Sequence, residues 1–276
     1  MDVGKRHIEW AKQTINPITG CNGPDGIRCE YCYAERISHR FKDVHGYPSP
    51  DPFVPAFHPH RLEKIAKRKK PTIYFFGSMC DWLDDAVKPE WRKRCLEVMA
   101  QNPRHTFITL TKQYKNLWKI AYDSPNALKD GPLAIPPNVW VGITVNDRSQ
   151  VWGMDELREI EAPIRFVSFE PLKEDLANIV SFDHIDWIII GAQSKQNKIA
   201  GLPGVPAFMP ERAWVKKLVY KTLTPVDSAD PQSIPFTKVF LKPNLGDYVA
   251  KGWFTEKIEQ MPKPHFSESE EYSHAA

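Results

Sequence analysis

No apolar run in the 276 residues approaches the roughly 20 needed to cross a bilayer, so membrane insertion is not expected. Neither sign of charge is in excess: 37 Lys and Arg against 34 Asp and Glu leave +3. That is too little to argue for a nucleic-acid partner; only the distribution of the charge could. Cysteines number five, an odd count, and no secretory leader is expected, so a disulfide framework is the poorest reading and the setting is cytoplasmic. A second tight cysteine pair, the usual other half of a structural zinc module, is also missing. What is present is ordinary globular material, 42% hydrophobic and 26% charged. Its length is close to the roughly 250 residues of one strand-helix barrel.

Three of the five cysteines fall within twelve residues, in the run TGCNGPDGIRCEYCYAER. Cys21, Cys29 and Cys32 form a Cys-x7-Cys-x2-Cys pattern with Tyr31 inside the last pair. Three thiolates on one loop can hold three irons of a cubane and leave the fourth iron open to a non-protein ligand. The zinc alternative takes Cys29 and Cys32 as a half-site with His39 as a further ligand. Both metals stay open on spacing alone.

Short apolar runs rich in β-branched and aromatic residues recur, each followed by helical spacing, the pattern of parallel strands joined by crossover helices. Strands are expected at 13–19, 72–79, 105–111, 138–145, 164–169, 185–191 and 236–242. Helices are expected at 30–41, 60–69, 89–101, 148–160 and 210–223, with Pro89 and Pro210 at two of the starts, where a missing N–H costs nothing. Seven such units predict an α/β barrel, full or partial, in a single domain over 1–261 with the cysteine loop at 20–33. A flat doubly wound sheet is the alternative. The tail 262–276 reads as disordered.

Parallel strands gather their C-terminal ends on one rim, where such barrels build their active sites. Nearly every strand here ends in a chemically able residue: Gly77, Ser78, Cys80 and Asp81; Thr111 and Lys112; Thr144, Asn146 and Asp147; Ser168 and Glu170; Gln193; Lys242. Asp81, Asn146 and Asp147 could equally cap the next helix. Glu170 could simply pair with Lys112 or Lys242, and Lys112 could snorkel.

The stretches IEWAKQTINPITGC, CEYCYAER, FFGSMCDWL, FITLTKQ, NVWVGITVND, IRFVSFEPL and DWIIIGAQS, from Ile8 to Ser194, resemble a phage- and bacterium-associated three-cysteine family of unknown function. The cysteine loop also resembles that of radical S-adenosylmethionine (SAM) enzymes, with a first spacing of seven residues where three is usual. The resemblance implies a radical SAM barrel carrying a 4Fe-4S cluster on Cys21, Cys29 and Cys32, with SAM bound at the open iron. It implies an external one-electron donor such as flavodoxin or ferredoxin, and a 5′-deoxyadenosyl radical that takes a hydrogen atom from substrate. Gly77 and Ser78 match the strand end that receives the methionine amine; the family's acidic third residue is Met79 here, with Asp81 as the substitute. Lys112 is the candidate for the SAM carboxylate. Thr144, Asn146, Glu170 and Gln193 are candidates for ribose and polar contacts, and the backbone near Tyr31 for adenine.

Cys80 could donate a hydrogen atom to a substrate radical, as a cysteine does in a radical SAM DNA-repair lyase, or be a small core residue; Cys95 reads as core. The basic run 61–70 places Lys64, Lys67 and Arg68 on one expected helix face, a phosphate track or a solvated surface. Eight tryptophans from Trp82 to Trp253 read mainly as core. The family's phage association and the lyase analogy favour a nucleic-acid or nucleotide-derived substrate. A metal-stabilised nucleic-acid-binding protein without SAM chemistry is the competing class. The Pro-rich segment 42–59 could shield the cysteine loop, and 194–210 could act as a lid or as a plain connector.

Overall fold

The apolar runs form strands β1 (Gln13–Ile15), β2 (Ile18–Thr19), β3 (Ala56–Phe57), β4 (Ile73–Phe76), β5 (Thr106–Thr111), β6 (Val139–Thr144), β7 (Arg165–Phe169), β8 (Trp187–Ile190) and β9 (Lys238–Leu241). The helices are α1 (Tyr33–Ser38), α2 (Glu63–Lys67), α3 (Pro89–Ala100), α4 (Trp118–Tyr122), α5 (Gly153–Arg158) and α6 (Arg212–Leu223). The structure, a computed structural model, describes residues 8–125, 135–199, 201–223, 237–246 and 260–263.

Seven strands make one parallel sheet in the order β1-β4-β5-β6-β7-β8-β9, while β2 and β3 form a separate antiparallel pair. The order never reverses. A doubly wound sheet reverses at its switch point, so the flat alternative is not what this chain builds. Crossovers of one hand in an unreversed sheet put their helices on one face, and the sheet curls away from them. Among the described residues β1 and β9 are not paired, so the architecture is a partial barrel; the full barrel is not formed. Closing such a barrel takes eight strands of matched shear. Among the described residues there are seven, and β1 has only three residues.

Side chains alternate along each strand, and this sorts them onto two faces. Val139, Val141, Ile143, Val167, Ile188 and Ile190 point to the helices and join the main core. The inner face begins, at the N-terminal ends, with an aromatic plug of Phe75, Trp140, Phe166, Trp187 and Phe240, with Trp10 packed among them. Trp10 lies edge-on to Phe75 and Trp187, at 4.7 and 6.0 Å between ring centroids. Two residues further along the same face come Gly142, Ser168 and Lys242, then Thr144 and Glu170, with Gly191 two beyond Ile189. The interior therefore grades from bulky aromatic to small and polar toward the rim, a stopper beneath a cup.

Several expected elements are shorter than the patterns implied. The run 13–19 breaks at Pro17, whose carbonyl accepts from His58 N (2.7 Å) and whose missing N–H ends the ladder. Helix 30–41 becomes α1 plus a 3-10 turn over His39–Phe41, because Cys32 is spent as the N-cap. Helix 148–160 is likewise a 3-10 turn followed by α5, with Asp147 accepting from Ser149 N as its cap. Arg68 leaves α2 in extended conformation, so the expected Lys64–Lys67–Arg68 face does not form. Arg68 instead donates to Thr72 Oγ1, next to β4. The short helix α4 was not evident in the pattern.

Candidate functional site

The cysteine loop enters through Gly20, at φ +88, where a Cβ would lie 2.4 Å from the Val54 carbonyl oxygen. It turns back at Gly23, φ +84, where a Cβ would lie 2.0 Å from the Ile27 oxygen. Neither position admits a side chain. Gly20 N donates to Met79 O and Cys21 N to Phe53 O, both at 2.9 Å, seating Cys21 between the end of β4 and the segment before β3. Asp84 accepts from Asn22 N (2.7 Å) and from Cys21 Sγ (3.5 Å). Arg28 fastens the loop from within, donating to Cys21 O (3.1 Å) and pairing with Glu35 (2.9 Å) and Asp51 (2.6 Å).

The three thiols are free and half-buried. Cys32 N donates to Cys29 O (3.0 Å), which turns the last pair toward each other. Cys21 and Cys32 pack against one small apolar cluster of Ala34, Tyr47, Phe53 and Met79. Backbone donors face two of the sulfurs, Gly23 N at 3.1 Å from Cys21 Sγ and Glu35 N at 3.4 Å from Cys32 Sγ. Burial pushes the Cys32 thiol up to about 11, and pushes Cys21 up as well, with Asp81 adding to the effect. A bound metal centre would supply the positive charge that holds them as thiolates. Among the described residues no three His, Cys, Asp or Glu groups are gathered around a single ion position; His39 closes α1 through its backbone N–H, which donates to Glu35 O and Ile37 O. Among the described residues neither a closed zinc knot nor a converged three-thiol position is preformed. Three separate thiols on one loop, two of them with N–H donors on their sulfurs, fit a cluster that takes one thiolate per iron.

Across from the loop, the strand ends form the rim. Asn16, a residue the sequence did not single out, organises the Gly77–Met79 turn: its Oδ1 accepts from Ser78 Oγ and Met79 N, both at 3.1 Å. Asp81 is buried and its carboxylate is occupied, accepting from Thr111 Oγ1 (2.8 Å), Lys112 N (2.8 Å) and Leu83 N (3.2 Å). It is a bracket between β4 and β5, and burial holds its pKa above the usual carboxylate range against those donors. The Lys112 ammonium lies 5.7 Å from the centre of the Tyr31 ring, and that of Lys173, also unforeseen, 4.8 Å. Tyr31 donates its hydroxyl to Asn146 Oδ1, and Asn146 Nδ2 donates to Pro171 O (2.8 Å). Thr144 is buried, its carbonyl accepting from the Tyr114 hydroxyl. Glu170 pairs with Lys242 (2.7 Å) and not with Lys112, and also accepts from Asn244 Nδ2 (3.3 Å).

Tyr31, Lys112 and Asn146 are thus brought together beside Cys29 and Cys32. Glu170 and Lys242 form a second, charge-paired station on the β7–β9 side. Gln193 stands apart, donating from Nε2 to Pro206 O (2.7 Å). Cys80 is half-buried, bridged to Gly20 and packed against the main core. Cys95 is fully buried.

The family described as "Protein of unknown function (DUF5131)" matches residues 5–201, which span the cysteine loop and the rim through β8. The chain belongs to this family. No curated protein matches it. Among solved structures, spore photoproduct lyase complexed with dinucleoside spore photoproduct aligns at 12% identity and TM-score 0.46, over 82% of this chain and 65% of that one. A mutant of the same lyase with bound AdoMet and dinucleoside spore photoproduct aligns at 10% identity and TM-score 0.42, over 79% and 62%. This DUF5131 chain covers less than two thirds of the length of those structures.

In the DUF5131 protein the segment after β8 is a ribbon, with antiparallel bridges Gln193–Phe208, Gln196–Val205 and Ile199–Leu202. Arg36 of α1, itself buried, clasps it by donating to Asn197 O (2.9 Å) and Pro203 O (2.5 Å). The ribbon is therefore tied to the helix that carries Cys32. Segment 42–59 supplies β3 and the Phe53 and Tyr47 side chains on which the thiols rest.

His58 supports the floor of this arrangement, sharing a hydrogen bond with Thr19 Oγ1 (2.8 Å). Burial, reinforced by Arg61 and His60, pushes it down from 6.5 to about 4. Between those values the unfolded chain binds more protons than the folded one, so stability rises with pH across the window and is lost as pH falls from 6.5 toward 4. A His58→Gln protein should show a shallower loss of urea midpoint between pH 7 and 4.5 than the wild type; equal slopes would exclude His58 as the sensitive group.

Proposed function

We propose that this DUF5131 protein is a radical SAM enzyme acting on a nucleic-acid or nucleotide-derived substrate. The supporting observation is the meeting of three free thiols, carried on one glycine-shaped loop, with the polar cup at the C-terminal ends of seven parallel strands. Cys21, Cys29 and Cys32 would hold the 4Fe-4S cluster. When bound, cluster and SAM supply the one-electron cleavage of the sulfonium carbon–sulfur bond and the hydrogen abstraction that follows.

The chain's own share is positioning and exclusion. The Gly77–Met79 turn, fixed by Asn16, offers its backbone and Ser78 to the methionine amine. Lys112 offers an ammonium to the carboxylate, with its backbone pinned by Asp81; Asp81 itself acts through that pin, since its oxygens are taken. Asn146 and Thr144 line the cup for the ribose, the backbone at Tyr31 faces the adenine, and Glu170 with Lys242, which also has Glu9 at 3.8 Å, gives a charged polar wall. Gln193 acts through the ribbon. Gly142 makes way for the Phe166 ring, which a Cβ there would meet at 2.3 Å, and Gly191 for the Glu170 side chain at 3.0 Å, so these glycines seat the aromatic stopper and the cup wall. The electron comes from an external donor such as flavodoxin or ferredoxin.

The test is anaerobic reconstitution with iron and sulfide followed by dithionite and SAM. The expected result is a brown protein that converts SAM to 5′-deoxyadenosine and methionine. A colourless protein that takes up zinc and leaves SAM intact would sink the proposal.

A further inference from the structure

The three rim residues Lys173, Lys195 and Lys198 are exposed and, among the described residues, none has a carboxylate partner. Two exposed helix lysines do pair, Lys67 with Glu63 and Lys217 with Asp175, while Lys64 on α2 shares the rim lysines' lack of a carboxylate partner among the described residues. The rim lysines also sit on a constrained frame. Lys173 follows Leu172, whose N–H donates to Gly191 O (3.1 Å) at the end of β8, and its own N–H donates to Asn146 O (2.9 Å). Lys195 and Lys198 flank the ribbon position that Arg36 grips at Asn197 O. Arg36 and Tyr33 are three residues apart on α1 and so share a face. Tyr33 is 42% exposed, yet its hydroxyl is anchored on Ser78 O (2.7 Å), so the ring is held rigid at the surface, directly after Cys32.

Exposed cations near the cysteine loop, Lys173 over the Tyr31 ring (4.8 Å) and Lys195 and Lys198 on the ribbon that Arg36 of α1 holds, together with the exposed Tyr33 ring, are the elements of single-strand recognition, in which ammoniums follow the phosphates and a base stacks on the ring. We propose that Lys173, Lys195, Lys198 and Tyr33 form the nucleic-acid-binding surface of this protein, presenting a single-stranded segment to the cup. This deepens the functional proposal above and rests on it for the reason the strand is bound. It also moves the contact away from the basic run 61–70: Arg61 is engaged with Asn16 O and His45 O, and the far end of the run lies by the start of β4, where Arg68 donates to Thr72 Oγ1 and its carbonyl accepts from Arg104 Nε (3.1 Å).

The test is fluorescence anisotropy of a labelled 15-nucleotide DNA single strand with the full-length protein between 50 and 200 mM salt. The triple variant Lys173→Ala, Lys195→Ala, Lys198→Ala should bind at least about tenfold more weakly, and its log–log salt slope should shrink by about 2, near 0.7 for each lost phosphate contact. Tyr33→Ala should weaken binding about 5- to 100-fold with the slope unchanged. The control Lys64→Ala, Lys67→Ala should match the wild type. Wild-type affinity and slope in the triple variant, or no binding by the wild type at 50 mM salt, would overturn the proposal. SAM cleavage without rim-dependent binding would leave the enzyme reading standing and remove this one; rim-dependent binding without SAM cleavage would do the reverse.

Discussion

A Cys29→Ala protein reconstituted anaerobically is expected to lose its cluster, falling from about four irons per chain to fewer than one, and to lose SAM cleavage with it. Cys29 is the informative position because its thiol meets the Tyr31 hydroxyl but neither packs in the apolar cluster nor caps a helix. Cys21 and Cys32 pack on Met79 and Phe53, and Cys32 caps α1, so replacing either also disturbs the fold. Before reconstitution, Cys29→Ala should therefore melt with the wild-type apoprotein, while Cys32→Ala should melt earlier by an amount typical of a lost cap, about 1 kcal/mol. Full iron content and full turnover in Cys29→Ala would mean that the three-thiol loop is not the cofactor site.

Arg92→Met should be the most destabilising single change outside that loop. Arg92 on α3 donates from Nε to Asp123 (2.7 Å) and from Nη1 to Val87 O (2.6 Å), and both charged side chains are buried, 4% and 1% exposed. Removing the guanidinium leaves a buried carboxylate with, among the described residues, Lys93 at 4.0 Å as the remaining cation to offset it. The expected cost is about 3–5 kcal/mol, read from urea unfolding. Replacing both partners, Arg92→Met with Asp123→Leu, should recover most of that loss, because an ion pair this deep contributes less than its removal by halves suggests. Val87 ends the loop that carries Asp81 and Asp84, so the single variant should also loosen Asn22 and the cysteine loop. A loss below about 1 kcal/mol would show that Asp123 finds another partner or takes up a proton at no cost.

The seven strands were legible because each is a short run whose inner and outer faces are both covered, which writes nearly continuous apolar sequence. What the runs could not show was closure. Nothing in QTI or TKVFL says that the first and last strands are left unpaired among the described residues, and Trp10, which helps to fill the interior, belongs to no strand. Helix α4 escaped because Trp118 and Tyr122, half exposed, give it no clean apolar stripe.

The cysteine loop was legible from spacing, and the rim from the rule that parallel strands end together. The use made of each rim residue was not. Asp81 looks like a free carboxylate until Thr111, thirty positions later, is seen to occupy it. Glu170 is settled on Lys242 over Lys112 only by the register that sets β9 beside β8. Lys173 reads as loop after Glu170-Pro171, and Asn16 as a turn residue before proline; both matter through contacts that the chain order conceals. The expected tail from residue 264 onward lies outside the described residues, as does Trp253.

The most direct test of the radical SAM reading is the electron paramagnetic resonance spectrum of anaerobically reconstituted, dithionite-reduced protein, recorded with and without SAM. The account predicts a reduced four-iron signal that shifts when SAM is added, because three protein thiolates leave one iron free to bind it. A four-iron signal indifferent to SAM, or a protein that binds zinc and gives no signal, would contradict it.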